Sequence, residues 1–175
     1  VSIGSNFIPE KINDANVYLN GNRMIGVASE VELPEINMMT SKIEGMGIGG
    51  EIDSPTLGQF ESLEATLKFN TLFSSIVDIL DPLETNMITV RAAQQVFDKT
   101  GGYAFKGLRA VLGGRPKQFK PGKVQKGEAM EAEVTMECTY YLLEVDGKSV
   151  VEVDKLNAVY KVNGRDILAG IAALT

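Results

Sequence analysis

Carboxylates at alternating positions stand out first among the groups that could do chemistry: Glu131, Glu133 and Glu137 in one run, Glu30, Glu32 and Glu35 in another. A pair of such groups can work as acid and base on a glycosidic bond, but that reaction needs a sugar-binding cleft with aromatic platforms. The chain has no tryptophan and few other aromatics, most of them at apolar strand positions. No loop carries the ligand spacing of a calcium hand. Histidine is absent altogether, which removes the commonest general base and the commonest metal ligand. Cys138, the single cysteine, therefore has no imidazole to activate it, and its apolar strand position makes it a small buried hydrophobe. A chain so composed is expected to hold no catalytic, metal or cofactor site.

The run Gly45-Met46-Gly47-Ile48-Gly49-Gly50 has the glycine content of a phosphate-cradling loop. A dinucleotide fingerprint, however, sets its glycines between a strand and the first turn of a helix. Here Glu51-Ile52-Asp53-Ser54-Pro55 follows, with a proline and no helical period. The segment is expected to be a flexible or interface-forming hairpin tip, with Gly45, Met46, Gly47 and Ile48 as candidate contact residues.

Charge is segregated. Residues 99–126 hold eight bases and no acid: Lys99, Lys106, Arg109, Arg115, Lys117, Lys120, Lys123 and Lys126. The rest of the chain carries 9 bases against 23 acids, and the whole has a net charge of -6. Such a stretch can be a nucleic-acid patch, with Phe105 and Phe119 as stacking platforms. It can also be half of a self-complementary surface, on which the base-rich part of one copy meets the acid-rich part of the next. A solvated hairpin is the third reading. Against the first stands the acidic remainder, which repels phosphate.

The elements that must position these groups are strands. From Ala132, the residues Val134, Met136, Cys138, Tyr140 and Leu142 fall on one side and Glu131, Glu133, Thr135, Glu137 and Thr139 on the other, because successive side chains alternate between faces. Leu63, Ala65, Leu67 and Phe69 alternate likewise with Ser62, Glu64, Thr66 and Lys68. Asn20-Gly21, Asp146-Gly147 and Asn163-Gly164 supply tight hairpin turns. Val31-Glu32-Leu33 running into Pro34 marks a strand end or edge. Strands are also predicted over 87–97 and 103–112, with Gly113-Gly114 breaking or bulging the second before a basic loop. Residues 70–80 have helical spacing behind an Asn70 or Thr71 cap, and a short helix is predicted over 166–174. The tally is six or seven strands, one substantial helix and a mainly antiparallel sheet, as a barrel or sandwich.

At 175 residues the chain suits one domain, burying about 70% of its unfolded surface. It divides into an N-terminal arm over 1–15, extended assembly loops over 35–58 and 99–127, and the strands between them. No apolar run approaches the roughly 18 residues of a membrane span, and the start of the chain lacks the order of an export signal. A soluble protein is expected.

One ordered set of motifs runs over nearly the whole length. It begins with Val17-Tyr18-Leu19-Asn20-Gly21, Gly26-Val27-Ala28, Val31-Glu32-Leu33-Pro34 and Gly45-Met46-Gly47. It continues with Lys126-Gly127-Glu128, then Tyr140-Tyr141-Leu142-Leu143-Glu144-Val145-Asp146-Gly147. It closes with Glu152-Val153-Asp154, Asn157, Val162-Asn163-Gly164 and Leu168-Ala169-Gly170. In these the chain resembles the major tail tube proteins of contractile-tailed phages and R-type bacteriocins, to which the type VI secretion tube is related.

The resemblance implies a β-barrel or sandwich with a flanking helix, six copies closing into a ring, and rings stacking into a hollow tube. It implies a tail sheath, a baseplate and a tail terminator as partners, and DNA passing through without specific binding. It places the protein in a virion tail or bacteriocin particle, and in the host cytoplasm during assembly, with no catalysis and no cofactor. Glu64, Glu131, Glu133 and Glu137 become candidates for a phosphate-repelling lumen, and Arg115, Lys117, Lys120 and Lys123 join the glycine loop as candidate assembly contacts. The rival from another class is a nucleic-acid-binding module using residues 99–126.

Overall fold

The computed structural model describes residues 7–19, 23–26, 29–72 and 78–175. The chain runs through β1 (Phe7–Leu19), β2 (Arg23–Gly26), β3 (Glu30–Glu32), β4 (Met38–Ile43), β5 (Ile52–Phe60) and β6 (Leu63–Phe69). After these come β7 (Asn86–Asp98), β8 (Gly102–Lys120), β9 (Ala132–Val145), β10 (Lys148–Asp154), β11 (Val159–Val162), β12 (Arg165–Asp166) and α1 (Ala169–Ala172). All described pairings are antiparallel, as strands joined by tight turns require. Asp146 and Gly147, at φ 53° and 75°, and Asn163 and Gly164, at φ 52° and 78°, both take the left-handed pair that matches the twist of flanking strands.

Among the described residues ten strands form one sheet in the order β12-β11-β10-β9-β8-β7-β1-β2, with β6 against β9 and β3 against β6, while β4 and β5 pair only with each other. The sheet forks at β9. Its first half, Ala132–Cys138, takes β6 as neighbour, and its second half, from Tyr140 onward, takes β10, while β8 follows the other edge throughout. The path ends at β2 and β12 without pairing them, so among the described residues the sheet is open and not the closed barrel that was one of two expectations.

The core collects one face of these strands. Leu63, Ala65, Leu67 and Phe69 of β6 pack with Val134, Met136 and Cys138 of β9, Val17 and Leu19 of β1, Ile88 of β7, Leu112 of β8 and Val153 of β10. Burial pushes the Cys138 thiol up to about 11, so it stays protonated and inert.

Four expectations change. On β9 the inward run through Cys138 does not continue to Tyr140 and Leu142. Tyr141 is buried, Leu143 packs against the core, and Tyr140 and Leu142 are half-buried on the opposite side. The reason is a bulge: Gly113 faces Tyr140 but Gly114 faces Cys138, so Thr139 is an extra residue that inverts the alternation. The Tyr140 hydroxyl donates to Glu152 Oε1 at 3.2 Å, and burial with the Glu152 charge pushes its phenol up to about 12.

Secondly, the glycines face the bulge of β9 and do not end β8. The strand runs on to Lys120, so the predicted loop over 99–127 is a turn at 99–101, a strand over 102–120 and the start of a loop after it. Thirdly, strands are more numerous than the six or seven expected. Residues 7–15 of the predicted arm are part of β1, which pairs with β7 from Phe7 opposite Asp98 to Leu19 opposite Ile88, and the expected hairpin around the glycine run is built of two regular strands, β4 and β5.

Lastly, the middle of the predicted helix over 70–80, residues 73–77, lies outside the described residues, and its start, 70–72, is a bend and not helix. Its end, 78–80, is one tight helical turn with Ile79 buried, held by Asn86 Nδ2 donating to the Asp78 carbonyl at 3.2 Å. The predicted terminal helix is present as the single turn α1.

Candidate functional site

Two kinds of surface emerge where sequence reasoning placed its candidates: a charged sheet face and an unsupported hairpin. The charged face lies opposite the core on β3, β6, β9 and the end of β8. Cross-strand register builds it in rows. One row runs Glu30, Lys68, Glu133 and Lys120; the next runs Glu32, Thr66, Thr135 and Gln118. A third sets Glu64 opposite Glu137 and Glu137 opposite Arg115.

In that third row the structure brings together residues predicted for different roles. Lys117, an assembly candidate, sits at the second irregularity of β8 and hydrogen-bonds the Glu64 carboxylate, a lumen candidate. Its Nζ also stands 3.7 Å from Glu137 Oε2. The Ser62 hydroxyl donates to the same Glu137 carboxylate, at 2.6 Å to Oε2. Two carboxylates placed directly opposite would repel, and one ammonium between them removes the conflict.

Lys68 repeats the arrangement, with Nζ 3.4 Å from Glu30 Oε2 and 3.7 Å from Glu32 Oε1. Sequence reasoning placed Lys68 on the wet face but not in the site, because nothing local says that Glu30, 38 residues away, will lie beside it.

Both lysines are held above their ordinary value of 10.5, Lys68 chiefly by the Glu30 charge and Lys117 chiefly by its hydrogen bond to Glu64. A lysine raised in the folded state contributes fully below its unfolded value, and the contribution disappears as pH rises through the higher folded one. The stability these two lysines contribute should therefore hold through neutral pH and fall in the alkaline range above the ordinary lysine value. The double variant Lys68→Met/Lys117→Met should flatten part of that alkaline fall, by a small amount because both pairs are solvent-exposed. Unfolding midpoints measured against pH check this, and an unchanged alkaline limb in the variant counts against it.

Other candidates are placed apart from this cluster. Glu131, exposed at φ 59°, lies in the loop before β9, where the Lys123 amide donates to the neighbouring Met130 carbonyl at 3.0 Å. Gly45, Met46, Gly47 and Ile48 form the exposed tip of the β4–β5 hairpin, closed by the Ile48 amide on the Gly45 carbonyl at 3.2 Å, with Gly47 at φ 90°. The bases of 99–126 do not share one patch. Lys106 faces Asp146 at 3.6 Å, Arg109 faces Glu144 at 3.0 Å, and Lys117 is committed to Glu64. Among the described residues no group of three His, Cys, Asp or Glu could hold a metal ion, and no helix is long and apolar enough to cross a membrane.

The hairpin is held only at its root. Phe60 meets Tyr160 edge to face at 5.0 Å, Leu168 covers Gly58, and Lys155 Nζ donates to the Glu61 carbonyl at 2.8 Å. Beyond that root Ile43 faces Ile52 across the hairpin, and Met39, Ile43, Met46, Ile48, Ile52 and Leu57 are all exposed. A lone two-stranded hairpin is marginal in water, and this one leaves large apolar side chains exposed along its length.

Comparison with known proteins bears on what this surface does. The family model described as phage tail tube protein FII matches residues 9–174. The chain is 29% identical over 163 residues to the tail tube protein of Escherichia phage P2, with 92% of this chain and 94% of the relative covered. It is 24% identical over 160 residues to the major tail tube protein of Serratia phage KSP20, with 91% of each covered. Among solved structures, its fold is similar to a chain of the PVC sheath-tube complex in the extended state, an extracellular contractile injection system. There the TM-score is 0.53 at 16% identity, covering 78% of this chain and 91% of that one. A chain of the sheath/tube terminator of the same system gives a TM-score of 0.56 at 16% identity, covering 78% and 97%.

Proposed function

The chain belongs to the phage tail tube protein FII family, whose members are structural subunits of a contractile tail; from that premise we propose that six copies close into a ring and that rings stack into a hollow tube. The observation that carries this reading is the match over residues 9–174, nearly the full chain. The β4–β5 hairpin supports it physically, since a tube needs heterologous contacts that repeat along an axis and this hairpin offers apolar surface its own chain leaves exposed. Gly45, Met46, Gly47 and Ile48 make one such contact and Lys123, in the loop after β8, offers another, while Arg115, Lys117 and Lys120 stand on the charged face among the wall candidates.

The bore conducts DNA or the force that breaches an envelope, and its wall includes Glu64, Glu131, Glu133 and Glu137. Lys117 pairs with two of these, Glu64 and Glu137, within the chain, which lowers the acidic excess of the wall and leaves it mildly repulsive to phosphate. A tail sheath surrounds the tube, and a baseplate and a terminator bound it. The assembled protein resides in a virion tail or bacteriocin particle, after assembly in the host cytoplasm. Its role is structural, with no reaction to catalyse.

Negative-stain electron microscopy of the purified chain tests the reading: stacked rings or hollow rods are expected. A protein that stays monomeric at every concentration and binds duplex DNA with a steep salt dependence would overturn it in favour of a nucleic-acid-binding module.

A further inference from the structure

The three strands β1, β7 and β8 extend past the core as a tongue. Residues 7–14, 92–98 and 102–108 contribute nothing to the hydrophobic core cluster, which takes from these strands only Val17 and Leu19, Ile88 and Val90, and Ala110 and Leu112. On this tongue Ile8, Phe97 and Tyr103 stand in one cross-strand row, Ile8 opposite Phe97 and Phe97 opposite Tyr103. Phe97 and Tyr103 meet edge to face at 5.8 Å. Phe105 follows two residues on, on the same face. All four are exposed, Tyr103 and Phe105 by 66% and 67%. Scattered apolar residues on a surface are ordinary, but a row of them continuous across three strands is a contact surface.

We infer that this aromatic tongue is the seat for the β4–β5 hairpin tip of a second copy of the chain. The inference rests on the tube reading and names the receiving surface within it.

Placement in the sheet makes the contact head to tail. The hairpin is rooted on the β10–β11 flank through Phe60 and Tyr160, whereas the tongue occupies the β8-β7-β1 flank, and β9 stands between the two flanks. A surface on one flank that fits a different surface on the other is heterologous, and such contacts close into rings or run on as filaments.

Charge agrees in sign. Residues 35–58 hold Glu35, Glu44, Glu51 and Asp53 against Lys42, a net of -3, while residues 7–14 and 86–109 together hold Lys11, Arg91, Lys99, Lys106 and Arg109 against Glu10, Asp14 and Asp98, a net of +2. Pairing within the chain takes Lys42 with Glu51 at 2.5 Å, Arg109 with Glu144 at 3.0 Å and Lys106 with Asp146 at 3.6 Å. Glu35, Glu44 and Asp53 then remain on the hairpin. On the tongue Lys11 and Lys99 remain beside Glu10, Asp14 and Asp98, and at its base Arg91 stands directly opposite Arg109 and 5.7 Å from the Tyr18 ring. Like charges facing each other across a ladder are unfavourable, and a carboxylate of the arriving hairpin relieves them at that base.

The test uses full-length chain at assembling concentration. Ile48→Cys and Phe105→Cys proteins are mixed, allowed to assemble, and treated with a short bismaleimide; the native Cys138 is fully buried and stays silent. A cross-link joining the two different variants is expected in rods, with neither variant cross-linking efficiently alone. Separately, Phe105→Asp should raise the concentration needed for assembly by about tenfold or more, the scale of losing one aromatic anchor, while leaving the monomer's unfolding temperature unchanged. Rods that form without the mixed cross-link, or that form from Phe105→Asp at the wild-type concentration, overturn the seat and leave the tube reading standing. Failure of the wild-type chain to form rods sinks both.

Discussion

Gly114→Ala is expected to yield little folded protein, with a steep drop in unfolding temperature in whatever is recovered. A Cβ at this position would stand 2.1 Å from the Glu137 carbonyl oxygen and 2.9 Å from the Cys138 Cα. Both are backbone atoms of β9, so no side-chain rotation relieves the clash. Overpacking usually costs 1–3 kcal/mol through shifted side chains; here the strands themselves must part at the bulge, and the cost should be about 3 kcal/mol or more. That is a large share of the roughly 5–15 kcal/mol by which a domain is stable. Gly107→Ala is the control, since a Cβ there meets nothing within 4 Å, and its effect should stay within about 0.5 kcal/mol. Thermal unfolding by circular dichroism measures both, and a Gly114→Ala protein melting with the wild type would refute the close approach.

Replacing residues 44–51 by Asn-Gly should abolish assembly while leaving the monomer as stable as before. Ile43 and Ile52 are cross-strand partners, so a two-residue turn of the type Asn-Gly favours can join them without changing register. The removed tip supplies no core residue, and the hairpin root at Phe60, Tyr160 and Leu168 is untouched. Assembly, by contrast, loses Met46 and Ile48 outright. Sedimentation velocity and electron microscopy should find monomer at concentrations where the wild type forms rods, with an unfolding temperature within a few degrees of it. Rods of ordinary length from the shortened chain would show that the tip is not an assembly contact.

The candidate site was partly legible in the sequence. The exposure of Gly45 through Ile48 follows from glycine content and the absence of any period that would bury them. The wet placement of Glu64, Glu133 and Glu137 follows from alternation with residues that are buried. What they face could not be read. Glu64 and Lys117 are 53 residues apart, and only the pairing of β6 with β9 and of β9 with β8 sets them side by side. The aromatic row was hidden for the same reason: Ile8, Phe97 and Tyr103 belong to three strands, and each alone is an unremarkable apolar position.

The strand character of the chain, its turns at Asp146-Gly147 and Asn163-Gly164, and the dry face of β6 and of the first half of β9 are legible in the sequence because they depend on neighbours two to four residues away, where side-chain alternation and glycine's freedom at positive φ act. The likeness to tail tube proteins is legible too, from the order of motifs along nearly the whole chain. Only the tertiary structure decided that the sheet forks at β9 and stays open, that Thr139 turns Tyr141 inward in place of Tyr140, and that acids expected to stand bare are matched by Lys68 and Lys117. Register is a property of two strands at once. A single extra residue, Thr139 opposite Gly113-Gly114, inverts every side chain of β9 beyond it, and that choice is made by the close packing of β8 on β9.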